Sequence, residues 1–315
     1  MAQRSRLRRS ELSTPGTSTK MIGKAAQSAA DLVFLDLEDA VAPTEKEGAR
    51  KNIVAGLNDL DWSGKVRAYR INGVHTQWCH GDIIEVVSEA GGSLDVIIIP
   101  KVKAPRDVWF VDDLLTQLEL KHGLEVGRIG LEVLIEETEA LARVEEIAAS
   151  SDRLEALILG VGDLSASQGI RAAHIGGGGG DGSAGGYPGD MWHYARNRMI
   201  VAARANGIDA IDGPYGDFGD AEGYGTSASW AATLGAVGKW CIHPSQIAIA
   251  NEVFAPTAAE VEKATSVVEA VRKAEAEGLG AANLGGVMID AATARIYELV
   301  LERAQLCDPD GSGSR

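Results

Sequence analysis

Eight short apolar runs, each followed by a stretch of helical periodicity, constrain this 315-residue chain more than any other feature. They extend from Ser10 to Thr14, Leu32 to Leu37, Val66 to Ile71, Val96 to Pro100, Ile129 to Ile135, Ala156 to Gly160, Ile208 to Ile211 and Gly238 to Ile242. Several are apolar almost throughout, the pattern of strands covered on both faces. Stretches such as Glu45 to Leu57, Thr138 to Ala149 and Trp192 to Asn206 read as helices between them. Strands alternating with helices imply a parallel sheet. Eight such units favour closure into a (β/α)8 TIM barrel of the α/β class, with an open doubly wound sheet as the alternative. Such a barrel needs roughly 250 residues plus insertions, and 45% hydrophobic residues supply its core.

The rhythm breaks twice. Gly176 to Gly186 is a glycine run that cannot pack a core, so it reads as a mobile surface insertion, with a lid over the site as the alternative. Beyond the eighth run, a helical stretch opens at Pro256-Thr257 and continues to about Glu277. Gly278-Leu279-Gly280 interrupts it, and a last helix is expected from about Asp290 to Leu306. The expected organisation is a barrel over 8–255, a helical appendage over 256–307, and flexible tails at 1–7 and 308–315.

The net charge of -15 argues against a nucleic-acid surface, which needs a basic excess. Three widely spaced cysteines, Cys79, Cys241 and Cys307, fit neither a disulfide framework nor a zinc site. A reducing cytoplasm is the expected location. The basic stretch from Met1 to Arg9 is followed at once by Ser10-Glu11, so no signal core is expected, and no run approaches a membrane span.

In this barrel, catalytic groups sit at the carboxyl ends of strands and in the loops that follow. Glu38 and Asp39 follow the second run, and Arg70 and Asn72 close the third. Lys101 follows the fourth, and Glu136 and Glu137 close the fifth. Asp163 follows the sixth, Asp212 the seventh and His243 the eighth. Polar strand ends also arise simply because they meet water, but charge at this many ends exceeds that expectation. Carboxylates without a His-Cys cluster suit a hard cation such as Mg²⁺, which takes one or two carboxylates plus water and substrate oxygens. Glu136 and Asp163 lie on neighbouring strands and can meet. Arg70 offers a planar, permanently charged fork for a carboxylate or an enolate oxygen. His243, Trp192, His193, Tyr194, Tyr215 and Asp217 fit ligand contact and ordinary packing or turn roles about equally.

Several segments together carry a resemblance. Arg9-Ser-Glu-Leu-Ser-Thr-Pro-Gly16, Lys20-Met21, Lys24-Ala25 and Leu35-Asp-Leu-Glu-Asp-Ala-Val41 resemble the acyl-CoA lyase family that includes the citrate lyase β subunit and malyl-CoA lyase. Tyr69-Arg-Ile-Asn-Gly73, Ile135-Glu136, Gly160-Val-Gly-Asp163 and Ile242-His-Pro-Ser-Gln246 continue it in order. Trp192-His193-Tyr194, Ala210 to Asp217, Gly238-Lys239-Trp240 and Met288-Ile289-Asp290-Ala291 are similar to the malyl-CoA/β-methylmalyl-CoA branch.

The resemblance implies a (β/α)8 barrel, a Mg²⁺ cofactor that Mn²⁺ could replace, and a homo-oligomer, a trimer or hexamer. In that assembly the C-terminal segment caps a neighbouring subunit's site as a lid. It implies Glu136 and Asp163 as metal ligands and Arg70 as the clamp for the 2-oxoacid and enolate. Asp290 becomes the acid/base, and Glu38 and Asp39 stand near the metal. Arg9, Lys20, Lys24, Asp212, Ile242 and His243 become candidates for contact with substrate or CoA. The implied reaction is reversible aldol-type cleavage of malyl-CoA or β-methylmalyl-CoA to glyoxylate and acetyl-CoA or propionyl-CoA, an oxo-acid-lyase activity. A malyl-CoA thioesterase, a citramalyl-CoA lyase and a citrate lyase β-type subunit are the alternatives. A Schiff-base mechanism would draw on Lys101 or Lys239, for which the sequence offers no further support.

Overall fold

The computed structural model describes residues 6–170, 174–176 and 190–308. All eight strands form. They are β1 (Ser10–Pro15), β2 (Leu32–Asp36), β3 (Val66–Arg70), β4 (Val96–Ile99), β5 (Gly130–Ile135), β6 (Leu154–Leu159), β7 (Asp209–Asp212) and β8 (Gly238–Cys241). Each pairs in parallel with the next, and β8 returns to β1 through Ser10↔Lys239, Glu11↔Trp240 and Leu12↔Cys241. The barrel is therefore closed, and the open-sheet alternative falls away.

Side chains alternate faces along a strand, and the burial follows that alternation. Leu32, Phe34, Ala68, Val96, Ile98, Leu134, Ala156, Ile158, Ile211 and Trp240 form one cluster, the barrel interior. Their neighbours Val33, Leu35, Ile97, Ile99, Val133, Leu157, Leu159 and Ala210 belong to a larger cluster, which strands share with the surrounding helices. A strand that must be apolar on both faces reads as a continuous apolar run, which is why these strands were visible in the sequence. At the amino-terminal end of the barrel, fully buried Arg8 reaches Glu132 at 2.9 Å and Glu155 at 2.8 Å.

The contacts divide the chain into two units, with the main boundary between Phe254 and Ala255. In the second unit, a capping box between Thr257 and Glu260 starts the helix Ala258–Ala276. A hairpin then forms from β9 (Ala281–Leu284) and β10 (Val287–Asp290), paired antiparallel. It turns at Gly285 and Gly286, whose φ values of +60° and +86° any side chain would resist. The last helix, Ala291–Cys307, follows. Val267, Val271, Ile289 and Ala294 form this unit's own small core. The sequence reading placed only helices here. The strands are four residues each, too short for alternation to stand out.

The expected helix from Thr138 to Ala149 is broken in two, Thr138–Ala142 and Val144–Ala148. Apart from Gly176, the expected loop over Gly176 to Gly186 lies outside the described residues, as do most of the two expected tails. No described helix is long and apolar enough to cross a membrane.

Candidate active site at the carboxyl ends of the strands

In several strands the inward set is apolar up to the carboxyl end, where charge takes over, although Glu11 and Glu132 are buried toward the amino-terminal end. Asp36 continues the inward series Leu32, Phe34; Arg70 continues from Ala68, and Glu136 continues from Leu134. Arg70 is buried and gripped in the plane of its guanidinium. Nε and Nη2 donate to the two oxygens of Asp36 at 2.7 and 2.6 Å, and Nη1 stands 3.0 Å from Glu38 Oε2. The guanidinium lies 5.5 Å from the Trp240 ring centroid. Bidentate pairing of this kind fixes orientation as well as charge. Burial alone would raise the Asp36 carboxyl, but Arg70 and the backbone N–H groups of Glu38 and Ala40 outweigh it and hold it below its ordinary value.

Glu136 is buried, and burial pushes its carboxyl up to about 8 against the pull of Lys101, with the nearby Asp163 charge adding to the rise. Glu38 is pushed up to about 7, mainly by burial, against the pull of Arg70. Both carboxyls thus sit where more positive charge would stabilise them. Lys101 supplies part of it. Its Nζ is 2.5 Å from Asp163, 3.8 Å from Glu38 and 3.9 Å from Asp39, and its backbone N–H donates to Glu136 Oε1 at 2.7 Å. Lys101 has φ +54°, the only positive φ outside glycine among the described residues. That left-handed backbone departs from the extended geometry of β4 and lets N–H and Nζ serve two strands at once. Gly160 completes the fit, because a Cβ there would overlap Glu136 and stand 2.8 Å from its Oε2.

The structure thus brings Glu38, Asp39, Arg70, Glu136 and Asp163 together, with Lys101 among them. The donor set is oxygen only, and no three Asp, Glu, His or Cys side chains among the described residues group as a protein-only metal cage would. Glu136, short of positive charge, and the neighbouring Asp163 fit Mg²⁺, which takes one or two carboxylates and keeps water or substrate oxygens for its other positions. A cavity of about 280 Å³ adjoins the cluster, lined by Glu38, Asp39, Lys46, Asn72, Trp78 and Lys101 among others.

Other candidates are placed differently. Arg9 precedes β1 at the amino-terminal end of the barrel and pairs with Asp31 at 2.8 Å, so it does not join the cluster. The residue that begins a strand lies a full strand length from the mouth. Asp212 shares the parity of Ala210, so it faces the helix layer. It is buried in ion pairs with Arg196 at 2.9 Å and Lys239 at 2.5 Å, which hold its carboxyl low against the effect of burial. Its charge is spent on packing, and the same pairing engages Lys239. Lys20 and Lys24 are exposed on the helix Thr19–Ala26, Lys20 in its first turn and Lys24 in its last. Ile242 is exposed just past β8, its N–H donating to Gln246 Oε1 at 2.8 Å. His243 is exposed, bonded to Ser245 and stacked on Phe218 at 4.8 Å between ring centroids. Asp290 lies in the second unit, where it caps the last helix by accepting from Thr293 N–H and Oγ1 at 2.9 and 3.0 Å. The Thr293 backbone N–H holds its carboxyl low.

The sequence reading missed Asp36 and Lys46. Asp36 had a signal, a carboxylate inside an apolar strand that must find a buried partner. Lys46 had none, since its partners are backbone carbonyls across a turn.

A family model for HpcH/HpaI aldolase/citrate lyase matches residues 9–244, the stretch that carries the whole carboxylate cluster. The chain belongs to that family. It is 43% identical over 310 residues to the L-malyl-CoA/beta-methylmalyl-CoA lyase of Rhodobacter capsulatus, covering 96% of both chains. Protein CitE of Mycobacterium tuberculosis, solved with magnesium, acetoacetate and coenzyme A, is 28% identical with a TM-score of 0.72 and covers 94% of this chain and 97% of its own. A citrate lyase from Burkholderia xenovorans shares the fold at a TM-score of 0.81 and 22% identity, over 96% of this chain and 93% of its own. The family's description and the curated relatives are those of aldolases and lyases, and this chain is a lyase of that type.

Proposed function

We propose that this chain is a Mg²⁺-dependent lyase that cleaves L-malyl-CoA and β-methylmalyl-CoA reversibly to glyoxylate and acetyl-CoA or propionyl-CoA. The observation that carries the reading is the meeting of Arg70, Glu136 and Asp163 at one barrel mouth, in a chain this similar to a lyase of those substrates along almost its whole length.

Glu136 and Asp163 would hold Mg²⁺. When bound, the cation supplies Lewis-acid polarisation of the 2-oxoacid oxygens. Arg70 remains charged at every working pH, because Asp36 and Glu38 raise its affinity for the proton further against the effect of burial. It presents fixed positive charge to the thioester enolate oxygen, where negative charge develops. In the condensation direction the Asp290 carboxylate takes the α-proton of the acyl-CoA, and in cleavage the protonated group returns it. We assign Asp290 to the site of a neighbouring copy, within a trimer or hexamer. Exposed Val287 and Met288 on the hairpin and Ile296 and Leu299 on the last helix support that assembly, as apolar surface that a partner would cover. Lys20, in the first turn of the helix Thr19–Ala26, and His243, just past β8, would meet the CoA portion. Mn²⁺ is expected to replace Mg²⁺.

The test is an assay of purified protein with Mg²⁺ and malyl-CoA, trapping glyoxylate as its phenylhydrazone while titrating free thiol. Glyoxylate and acetyl-CoA without free thiol is the expected result. Free thiol without glyoxylate would overturn the lyase reading in favour of a thioesterase.

A further inference from the structure

A buried ammonium is costly unless its charge and its donors are used. Lys46, the first residue of the helix Lys46–Asp59, is only 5% exposed. Its Nζ donates to two backbone carbonyls, Leu37 O and Glu38 O, each at 2.8 Å. The Trp78 ring lies 5.2 Å from the ammonium. These carbonyls belong to the turn after β2, and that turn carries both Glu38 and Asp39.

Glu38 Oε1 stands 3.8 Å from Lys101 Nζ, and Glu38 is also held through its N–H, its carbonyl and its other carboxylate oxygen, Oε2. Its N–H donates to Asp36 Oδ1 at 2.9 Å, and its carbonyl also accepts from Val41 N–H at 3.1 Å. Its carboxylate accepts from Asp39 N–H at 3.0 Å and meets Arg70 at 3.0 Å. Most of these anchors lie inside the turn or in the charged cluster. Lys46 alone reaches in from a helix, and its bonds go to the backbone.

From this geometry we infer that Lys46 is a positioning residue for the lyase reaction: its ammonium locks the Leu37–Glu38 backbone so that Glu38 meets Arg70 beside the metal ligands. An apolar side chain would fill the same space with no charge to desolvate, but it would take the ammonium from the Leu37 carbonyl and leave the Glu38 carbonyl with Val41 N–H alone. The inference rests on the proposed reading of the site, and it adds a residue that lines the adjoining cavity and acts on the site through the backbone of the turn.

The experiment is Lys46→Met in the full-length protein, read by steady-state kinetics and by hydrogen exchange of the backbone amides over 37–41. Exchange in that segment accelerates while the rest of the barrel keeps its protection. kcat falls on the order of 10- to 100-fold, the usual cost of losing a group that orients a site. KM for the acyl-CoA stays within about twofold, as loss of a transition-state interaction requires. Lys46→Gln, which can still donate to one carbonyl, gives an intermediate kcat, and it stands in if Lys46→Met does not fold. Unchanged exchange over 37–41 overturns the inference. So does a KM rise at constant kcat, which would make Lys46 a substrate contact, or a loss of protection spread over the whole barrel, which would make it ordinary core. If the unaltered protein fails to cleave malyl-CoA, the functional reading falls, while the exchange result still judges the positioning.

Discussion

Gly160→Ala places one methyl group against the proposed metal ligand Glu136 and changes nothing else. The backbone at Gly160 has φ -86° and ψ 73°, the inverse γ-turn region that L-residues also enter, so the main effect is steric. The new Cβ would stand 2.8 Å from Glu136 Oε2 and overlap the Glu136 side chain nearer its root, whereas ordinary contact begins at 3.4 Å. Glu136 cannot swing aside freely, because its Oε1 accepts from Lys101 N–H and it is packed in the barrel mouth. It must retreat on the order of 1 Å, and a misplacement of that size costs about 100-fold in rate. Overpacking should lower stability by about 1–3 kcal/mol, or roughly 2–4 °C in Tm for each kcal/mol. Gly23→Ala is the control: its Cβ meets nothing within 4 Å, in the helix Thr19–Ala26. That change should leave kcat/KM intact and raise stability by up to ~1 kcal/mol. The measurements are kcat/KM for malyl-CoA, Mg²⁺ affinity by titration calorimetry, and Tm. Native activity and native Mg²⁺ affinity in Gly160→Ala would refute the assignment of Glu136 as a ligand held from behind by this glycine.

Three further outcomes are expected. Asp36→Asn leaves the buried Arg70 without its bidentate partner, which should cost about 3–5 kcal/mol. Because the Asp36 carboxyl lies below its ordinary value of 3.8 in the folded state, its contribution is complete above that pH and fades as pH falls toward the depressed folded value, so acid unfolding of the variant should be the shallower. In chelator, Glu136 and Glu38 hold protons in the fold up to about pH 8 and 7 that an unfolded chain releases near 4.5. Stability should therefore drop as pH rises from 5 to 8 on that account, and Mg²⁺ should flatten the slope in a pH series of thermal melts; a slope unaltered by Mg²⁺ would count against the site. Asp290→Ala should lower kcat by about 10²–10⁴-fold. Mixing it with an Arg70→Ala protein should recover part of the activity if Asp290 serves a neighbour, whereas no recovery would place Asp290 in its own subunit's site.

The barrel was legible because its physics is local. A strand buried on both faces must be apolar at successive positions, and β4 and β2 up to Asp36 are, while Glu132 and Glu155 interrupt β5 and β6 toward their amino-terminal ends. The meeting of Glu38, Arg70, Glu136 and Asp163 was legible because a closed parallel barrel gathers its strand ends at one mouth. Arg9 and Asp212 show the limit. Both stand in the right motifs, but one lies at the wrong end of its strand and the other on the wrong face. The β9–β10 hairpin escaped notice because two four-residue strands carry too little alternation, although Gly285-Gly286 marked the turn.

By itself, then, the amino-acid order determined the element sequence, the closure into eight strands and the identity of the carboxylates available for a hard cation. Those follow from burial and from residue chemistry, which are written position by position. Tertiary structure alone decided which charges are free for chemistry and which are spent. Asp36 is consumed by Arg70, Asp212 by Arg196 and Lys239, and Lys46 by two carbonyls of a turn. Coulomb and hydrogen-bond energies depend on distances of a few ångströms between residues far apart in the chain. Those distances exist only once the barrel has closed.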